Sequence, residues 1–461
     1  MEQFTVTGQN VVVVGAARSG VAAALLLAAR GARVTLSDVR KELDDQSVEP
    51  GLRRAGVTLE LGGHRTETLT GADLIVLSPG VPPEQSQVAA ARRSGVPVVG
   101  EVELASRWLS GRIVAITGTK GKSTTTTLTG RMFQAGGLKA LVGGNIGTPL
   151  SAQVEESTPE TFHIVEVSSF QLEATVTFHP WVAVLLNFSP DHLDRHPSVE
   201  EYGAAKARIF ANQTDRDWAV INADDPQALA LARLGRAQRL LFALDRPLDE
   251  GFFVKKGHAL ESRKGKETLL FPLSSVRLIG RHLLSDVLAA AAVARIAGVP
   301  TEAMVRAVES FTGLEHALEP AGAVRGVSFV NDSKATNVEA AKRAIESFDR
   351  DLVVILGGRF KGGDLSRLSA PLAARRARVV AIGEAQPLVH DALQGSVDVH
   401  DAGSMAAAVH LAFTLAPPNG TVLLAPACSS FDMFRDYAER GRVFKEEVRR
   451  LAEETNPGRE Q

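Results

Sequence analysis

The sequence has a single cysteine, Cys428, among its 461 residues. One thiol excludes an internal disulfide framework and a cysteine-based zinc site, and it fits a reducing compartment. Charge of one sign is also lacking: 51 Lys and Arg stand against 53 Asp and Glu, for a net charge of −2. That balance excludes nucleic-acid binding through bulk charge, and no nucleic-acid partner is expected. Long apolar runs are missing too. Residues 11–29 come nearest, but Arg18 and two glycines interrupt them. A valine segment followed by an Ala/Leu segment reads as a strand and then a helix, so no membrane insertion is expected. The opening Met1-Glu2-Gln3 carries no basic segment. No signal peptide is therefore expected, and the setting predicted is the cytoplasm. Repeats, low-complexity tracts and heptad seams are absent as well.

What is present is the composition of a folded protein: 44% hydrophobic and 23% charged residues exclude a disordered chain. At about 150 residues per domain, the length predicts about three domains. The first third alternates strand and helix. Strands are expected at 11–14, 32–37, 74–77 and 96–99, with a helix over 21–30 ended by Gly31. This is the rhythm of a doubly wound, Rossmann-like parallel sheet. A second α/β unit starts near Arg112, with strands at 113–116, 163–167, 182–187 and 218–221. Short antiparallel strands are expected over about 248–280, and a helix over 283–297. A third unit alternates again, with strands at 325–330, 352–356, 378–382 and 421–425 and helices at 337–348, 404–416 and 433–454. Thr336 with Glu339 reads as a capping box for the first of these helices. The boundaries expected are 1–105, 106–312 and 313–461.

The strongest local signal is Thr117-Gly118-Thr119-Lys120-Gly121-Lys122-Ser123-Thr124, between a strand and a helix. Glycines let backbone N–H groups turn toward an anion, and the helix N-terminus adds partial positive charge. Lys122 can reach outer phosphates and the Ser123 hydroxyl can ligate Mg²⁺. Ile116 stands where the usual spacing has glycine, so the loop is a shortened variant. Gly15-Ala16-Ala17-Arg18-Ser19-Gly20 is a weaker nucleotide turn. Ala17 occupies the position where a dinucleotide fold needs glycine, which argues against NAD. Asp38 ends the next strand, where an acid would meet a ribose. Glu166 ends a buried strand on the same edge as the phosphate loop, and a carboxylate there needs a cation. Mg²⁺ is the expected one. His192 lies among acids in Asn187-Phe188-Ser189-Pro190-Asp191-His192, which raises it as a metal ligand. Lys206, read alone, is a surface lysine. In the last unit, three polar loops follow strands: Asn331 to Asn337, Gly357 to Asp364, and Pro426 to Asp432. Cys428 has no histidine nearby in sequence and reads as packing.

Taken together, these strings resemble the Mur ligases of peptidoglycan synthesis. Gly118-Thr119-x-Gly121-Lys122-Ser123-Thr124 is shared with the wider superfamily. Ser168-Ser169-Phe170-Gln171-Leu172-Glu173, Asn331 to Asn337 and Pro426-Ala427-Cys428-x-Ser430 point to the D-glutamate-adding member. The resemblance implies a three-domain ligase that binds a UDP-substrate, ATP and an amino acid in turn. It would phosphorylate the carboxylate of UDP-N-acetylmuramoyl-L-alanine and let the D-glutamate amine displace phosphate. By the same resemblance, Gly118, Thr119, Lys120, Gly121, Lys122, Ser123 and Thr124 hold ATP, joined by Asp332 and Lys334. Ser123 and Glu166 serve one Mg²⁺, and His192 serves a second. Lys206 matches a lysine that is carbamylated in the family and helps hold that second ion. Asn145 matches a contact near the reacting carboxylate. Arg18, Ser19, Asp38, Arg40 and Gly80 match the uridine diphosphate site. Thr336, Lys361, Ser430, Phe431 and Tyr437 match the D-glutamate pocket. A monomer is expected.

The chain departs from the family at two places. His282-Leu283 stands where the family has His-Asn, and Asp286 replaces a second asparagine one turn on. His316-Ala317 stands where the family has His-Arg, the arginine reaching ATP phosphate. Arg281 and Arg359 are the expected compensating cations.

Overall fold

A computed structural model describes residues 4–43, 45–192, 195–278, 280 and 282–455. The chain divides into two compact units, Met1–Val276 with Leu283–Ser310, and Arg277–His282 with Phe311–Gln461. The first unit holds two sheets.

Its first sheet is all parallel, in the order Thr58–Leu61, Arg33–Asp38, Asn10–Val14, Leu74–Leu77, Val98–Gly100. Val11 to Val14 are buried on both faces, which is what a parallel strand under helices requires. Val11 and Val13 pack with Leu27 and Val76, while Val12 and Val14 pack with Ile75 and Val88. The strand order reverses between Asn10–Val14 and Leu74–Leu77, which opens a crevice at their carboxyl ends. Gly15 turns the chain there at φ 96°, and a Cβ on it would lie 2.8 Å from Ser78 Cβ.

The second sheet has nine strands. Its order is Lys266–Pro272, His258–Arg263, Gly251–Lys255, Gln238–Ala243, Trp218–Asn222, Val182–Leu185, Arg112–Thr117, Phe162–Glu166, Ala140–Gly144. The first three are antiparallel, as expected from sequence, and the rest are parallel. Arg112–Thr117, Phe162–Glu166 and Val182–Leu185 are neighbours, so their carboxyl ends deliver Gly118, Glu166 and the segment leading to His192 to one edge.

The second unit holds a six-stranded sheet, in the order Glu319–Val324, Val327–Asn331, Thr421–Leu424, Leu352–Gly357, Arg378–Ile382, Val399–Ala402. Only the first pair is antiparallel. Alternation along Leu352–Gly357 shows why it is central. Val353 and Ile355 pack with Ala408, Phe444 and Leu451 on one face, and Val354 and Leu356 pack with Ile345 and Leu372 on the other. Each such side chain contributes about 1.5–3 kcal/mol by leaving water. The Tyr437–Thr455 helix covers the sheet with Arg440, Phe444, Val448 and Leu451, a spacing of three to four residues.

One sequence expectation is corrected here. The Val338–Glu346 helix is capped by Asn337, whose side chain accepts from Ala340 N, and not by a Thr336–Glu339 box. Asn337 is the better cap because its short carbonyl arm reaches the N–H three residues on while Thr336 N turns back to Lys334 O. No helix among the described residues is long and apolar enough to cross a membrane.

Candidate functional site

The phosphate loop follows the Arg112–Thr117 strand and opens the Lys122–Ala135 helix. Gly121 is the residue before that helix, at φ 83°. A Cβ on Gly121 would lie 2.1 Å from Asp286 Oδ1, and the positive φ adds to the preference for glycine. Among the described residues no side chain caps the helix, which leaves its first N–H groups for an outside acceptor. Ser123 and Thr124, in the first turn, are half-buried. Lys122 Nζ donates to the carbonyls of Gly118 and Thr119, both at 3.0 Å. Lys206 Nζ donates to the same Gly118 carbonyl at 2.9 Å.

Lys206 is no surface lysine: it is 1% exposed. The Val199–Ala207 helix puts Tyr202 one turn before it, and the ammonium lies 4.7 Å from the Tyr202 ring centroid. Burial, then the charge on Lys122, bring the Lys206 pKa down to about 7. Cations crowd this loop, and that calls for an anionic ligand.

The loop is stapled to the segment after Val182–Leu185. Thr119 N donates to Asn187 O at 3.1 Å, and Lys120 N donates to Asn187 Oδ1 at 2.9 Å. Lys120 Nζ pairs with Asp191 at 2.9 Å. Thr119 Oγ1 lies 3.3 Å from the Tyr202 hydroxyl. His192 is exposed, has φ 56°, and packs edge-on to Phe170 at 5.1 Å between centroids.

Glu166 is 2% exposed. Its Oε1 accepts from Asn145 Nδ2 at 2.7 Å, while Oε2 is buried with no hydrogen-bond partner among the described residues. An orphaned carboxylate oxygen beside a phosphate loop fits a divalent cation. Among the described residues no three His, Cys, Asp or Glu side chains form a metal cage. The described residues thus supply a partial ligand set, which suits an ion shared with phosphate oxygens.

A cavity of about 1180 Å³ starts at the crevice of the first sheet. It is lined by Arg18 and Ser19, by Asp38 and Arg40, and by Gly80, and it reaches Asn145. Asp38 is 4% exposed. It accepts from Ala16 N at 2.6 Å and from the Arg40 side chain at 2.9 and 2.7 Å. The Arg40 guanidinium holds its carboxyl well below the usual range. Arg18 donates to the Gly147 carbonyl beyond the Asn145 turn.

In the second unit, Asp332 is buried, and burial raises its pKa to about 7. It accepts from Leu318 N at 3.1 Å, which draws the Ala317 turn onto it. Lys334 is exposed and Thr336 half-buried. Lys361 Nζ lies 5.3 Å from the Phe431 ring centroid, and Phe431 and Tyr437 are both exposed. Ser430 is buried. The loops carrying these residues are tied together from below by Arg440, which is fully buried and donates to Ser333 Oγ, Ser333 O and Cys428 O. Burial pushes the Cys428 thiol up to about 11, consistent with packing.

The expected compensating arginines fare differently. Arg359 makes a two-pronged ion pair with Glu384 at 2.9 and 3.0 Å, with both side chains exposed. Arg281 lies outside the described residues. Sequence reading missed Tyr202, Asn187 as the clamp on Lys120, and Asp286 against Gly121. Tyr202 was findable, since residues four apart share a helix face. Asp286 stands out in the sequence only as a departure from the family pattern; its contact with Gly121 is tertiary and leaves no local signal.

Three Mur ligase family descriptions match the chain. The MurD-like N-terminal domain matches residues 9–100, the middle domain 116–294, and the glutamate ligase domain 318–428. The UDP-N-acetylmuramoylalanine–D-glutamate ligase of Acidobacterium capsulatum is 46% identical over 96% of this chain and 96% of its own. The ligase of the same name from Koribacter versatilis is 43% identical over 97% of this chain and 99% of its own. Among solved structures, the UDP-N-acetylmuramate–alanine ligase of Thermotoga maritima superposes with a TM-score of 0.59 at 18% identity, covering 96% of this chain and 99% of that one. A pseudomurein peptide ligase type C from Methanothermus fervidus gives 0.57 at 18% identity, covering 96% of this chain and 100% of that one. At that identity the structures speak for the fold alone. With its three domains matched in order and full-length relatives above 40% identity, the chain belongs to the Mur ligase family.

Proposed function

We propose that this chain joins D-glutamate to UDP-N-acetylmuramoyl-L-alanine, driven by cleavage of ATP to ADP and phosphate. The observation that carries the reading is the course of the large cavity. It starts at Asp38 and Gly80 and ends at Asn145, whose amide meets Glu166 beside the phosphate loop. A nucleotide-linked substrate can thus hold its nucleotide on the first sheet and present its far end to the phosphates.

In this reading Arg18, Ser19, Asp38, Arg40 and Gly80 hold the uridine diphosphate. The N–H groups of Gly118 to Thr124 and the Lys122 ammonium hold the ATP phosphates. Asp332 and Lys334 act on the nucleotide side. Thr336, Lys361, Ser430, Phe431 and Tyr437 receive D-glutamate, with Lys361 matched to a carboxylate. Ser123 and Glu166 would hold one Mg²⁺, and His192 with a carbamylated Lys206 a second. Bound Mg²⁺ supplies charge stabilisation for transferring phosphoryl and acyl oxygens. Near pH 7 about half of Lys206 is neutral amine, given its pKa of about 7. That amine can add CO₂, forming an N–C bond and releasing one proton.

The substrate carboxylate is oriented by the second N–H of Asn145 and attacks the γ-phosphorus, and ADP leaves. Lys122 follows the charge that builds on the phosphoryl oxygens. The D-glutamate amine, having lost a proton, attacks the acyl carbon. Collapse of the tetrahedral adduct expels phosphate, which carries away one carboxylate oxygen. The chain is proposed to work as a cytoplasmic monomer.

Substrate labelled with ¹⁸O in the alanyl carboxylate tests the acyl-phosphate route. The reading predicts one ¹⁸O in each inorganic phosphate formed. Unlabelled phosphate accompanied by product would overturn it.

A further inference from the structure

Arg195 has no part in the chemistry described so far, yet it touches both ends of it. Its guanidinium donates to Val81 O at 3.1 Å and lies 3.4 Å from Pro79 O. These two carbonyls flank Gly80, and Pro79, Gly80 and Val81 all line the large cavity. Its backbone N–H donates to His192 O at 3.0 Å, and the next N–H, of His196, donates to the same oxygen at 2.9 Å. One residue therefore grips the lip of the nucleotide-sugar pocket with its side chain and the His192 carbonyl with its main chain.

The surroundings make this grip stiff. The guanidinium carbon lies 4.1 Å from the Phe170 ring centroid. Phe170 also stacks on His196, with centroids 5.1 Å apart and planes 11° from parallel, and meets the His192 ring edge-on. His196 is 1% exposed and bonded to Ser169 Oγ at 2.9 Å, with Glu173 at 3.0 Å from its other nitrogen. Ser169, His196 and Glu173 are ordered like a nucleophile, base and acid. Ser169 and His196 are 2% and 1% exposed, so they serve as a buried brace with Glu173 at its outer end. Phe170 itself lies four residues beyond Glu166. A shift of the Gly80 lip would thus move Arg195, and with it the packing around His192 and the Glu166 segment.

We infer that Arg195 is a positioning residue linking the pocket lip at Gly80 to the His192 turn, so that nucleotide-sugar bound at one and magnesium nucleotide bound at the other strengthen each other. Such a coupling is reciprocal by linkage. Arginine suits the task because its planar fork reaches two carbonyls while its face lies flat on an aromatic ring, an arrangement that the point-like ammonium of lysine reproduces only in part.

The inference rests on the function proposed above, and the test separates the two. Binding of UDP-N-acetylmuramoyl-L-alanine to the full chain is measured by calorimetry, without and with Mg²⁺ and a non-hydrolysable ATP analogue. Wild type is expected to bind more tightly with magnesium nucleotide, by about fivefold or more. Arg195→Met should weaken binding of the nucleotide-sugar alone by about tenfold, about 1.4 kcal/mol. It should also bring the ratio of the two affinities close to one. Arg195→Lys should recover part of the ratio, and it serves as the test if the methionine variant melts at the assay temperature. A role in stability alone predicts a lower melting temperature with the wild-type ratio retained, and that result overturns the inference. Failure of wild type to bind the nucleotide-sugar at all would defeat the function reading, and this inference with it.

Discussion

Replacing Lys206 by methionine should make the protein more stable at neutral pH, and by an amount that depends on pH in a set direction. The Lys206 ammonium is buried and its pKa falls from 10.5 to about 7. Below about pH 7 the folded and unfolded chains both carry the proton, and the full cost of burying the charge is felt. Between pH 7 and 10.5 the unfolded chain holds a proton that the folded chain does not, so wild-type stability rises with pH. The slope is about 1.4 kcal/mol per pH unit, and the whole range is worth about 5 kcal/mol. Methionine removes this term and the hydrogen bond to Gly118 O, which is worth about 1 kcal/mol. Lys206→Met should therefore be more stable than wild type by about 4 kcal/mol at pH 6.5, falling to about 1 kcal/mol near pH 9. Urea unfolding followed by tryptophan fluorescence reads the right part of the chain, because Trp108, Trp181 and Trp218 all lie in the first unit. The buffers must be free of CO₂ to keep the amine unmodified. A stability difference that does not change between pH 6.5 and 9 would refute the reasoning. With ¹³C-bicarbonate at pH 8, a carbamate carbon signal is expected in wild type and not in Lys206→Met.

Three further outcomes follow from other parts of the structure. Gly121→Ala places a methyl group against the Asp286 carboxylate at a positive φ and should lower phosphate release by about 100-fold; a variant with wild-type turnover would contradict the geometry. Ala317→Arg restores the arginine that the family resemblance implies at this position and should lower the KM for ATP by about tenfold, in line with one charge-assisted hydrogen bond. An unchanged KM would show that the position is already compensated. Cys428, buried with its thiol pushed up to about 11, should resist iodoacetamide at pH 8 in the native protein and react once urea unfolds it; rapid native labelling, read by mass, would place the thiol at the surface.

The parts of the fold legible in the sequence were those built from apolar runs. Leu74–Leu77 and Arg378–Ile382 were read to the residue. The strands overlooked include Thr58–Leu61, Ala140–Gly144, Glu319–Val324 and Val399–Ala402, and each of these four is the outermost strand of its sheet. An edge strand has one paired side and tolerates polar residues, as in Thr58–Leu61 and Val399–Ala402, while Ala140–Gly144 is apolar but ends in two glycines, which read as a turn. Gln238–Ala243 lies inside its sheet and was also overlooked. The site was legible where backbone and side chain act together in a short string, as in Gly118 to Thr124. It was not legible where a side chain works across the fold. Lys206 reads as a surface residue until the helix packs it under the phosphate loop, and Arg440 leaves no local signal that it ties two loops together. Thr336 reads as the cap because its spacing to Glu339 fits a box, but the helix is capped one residue later, at Asn337.

The most direct test of the account is phosphate release by the purified protein with ATP, Mg²⁺, bicarbonate and UDP-N-acetylmuramoyl-L-alanine, with D-glutamate, L-glutamate and other amino acids added one at a time and each product weighed by mass spectrometry. Turnover with D-glutamate, and product heavier by one glutamyl residue, is the predicted result. Turnover only with a different amino acid, or none with any of them from a folded protein, would contradict it.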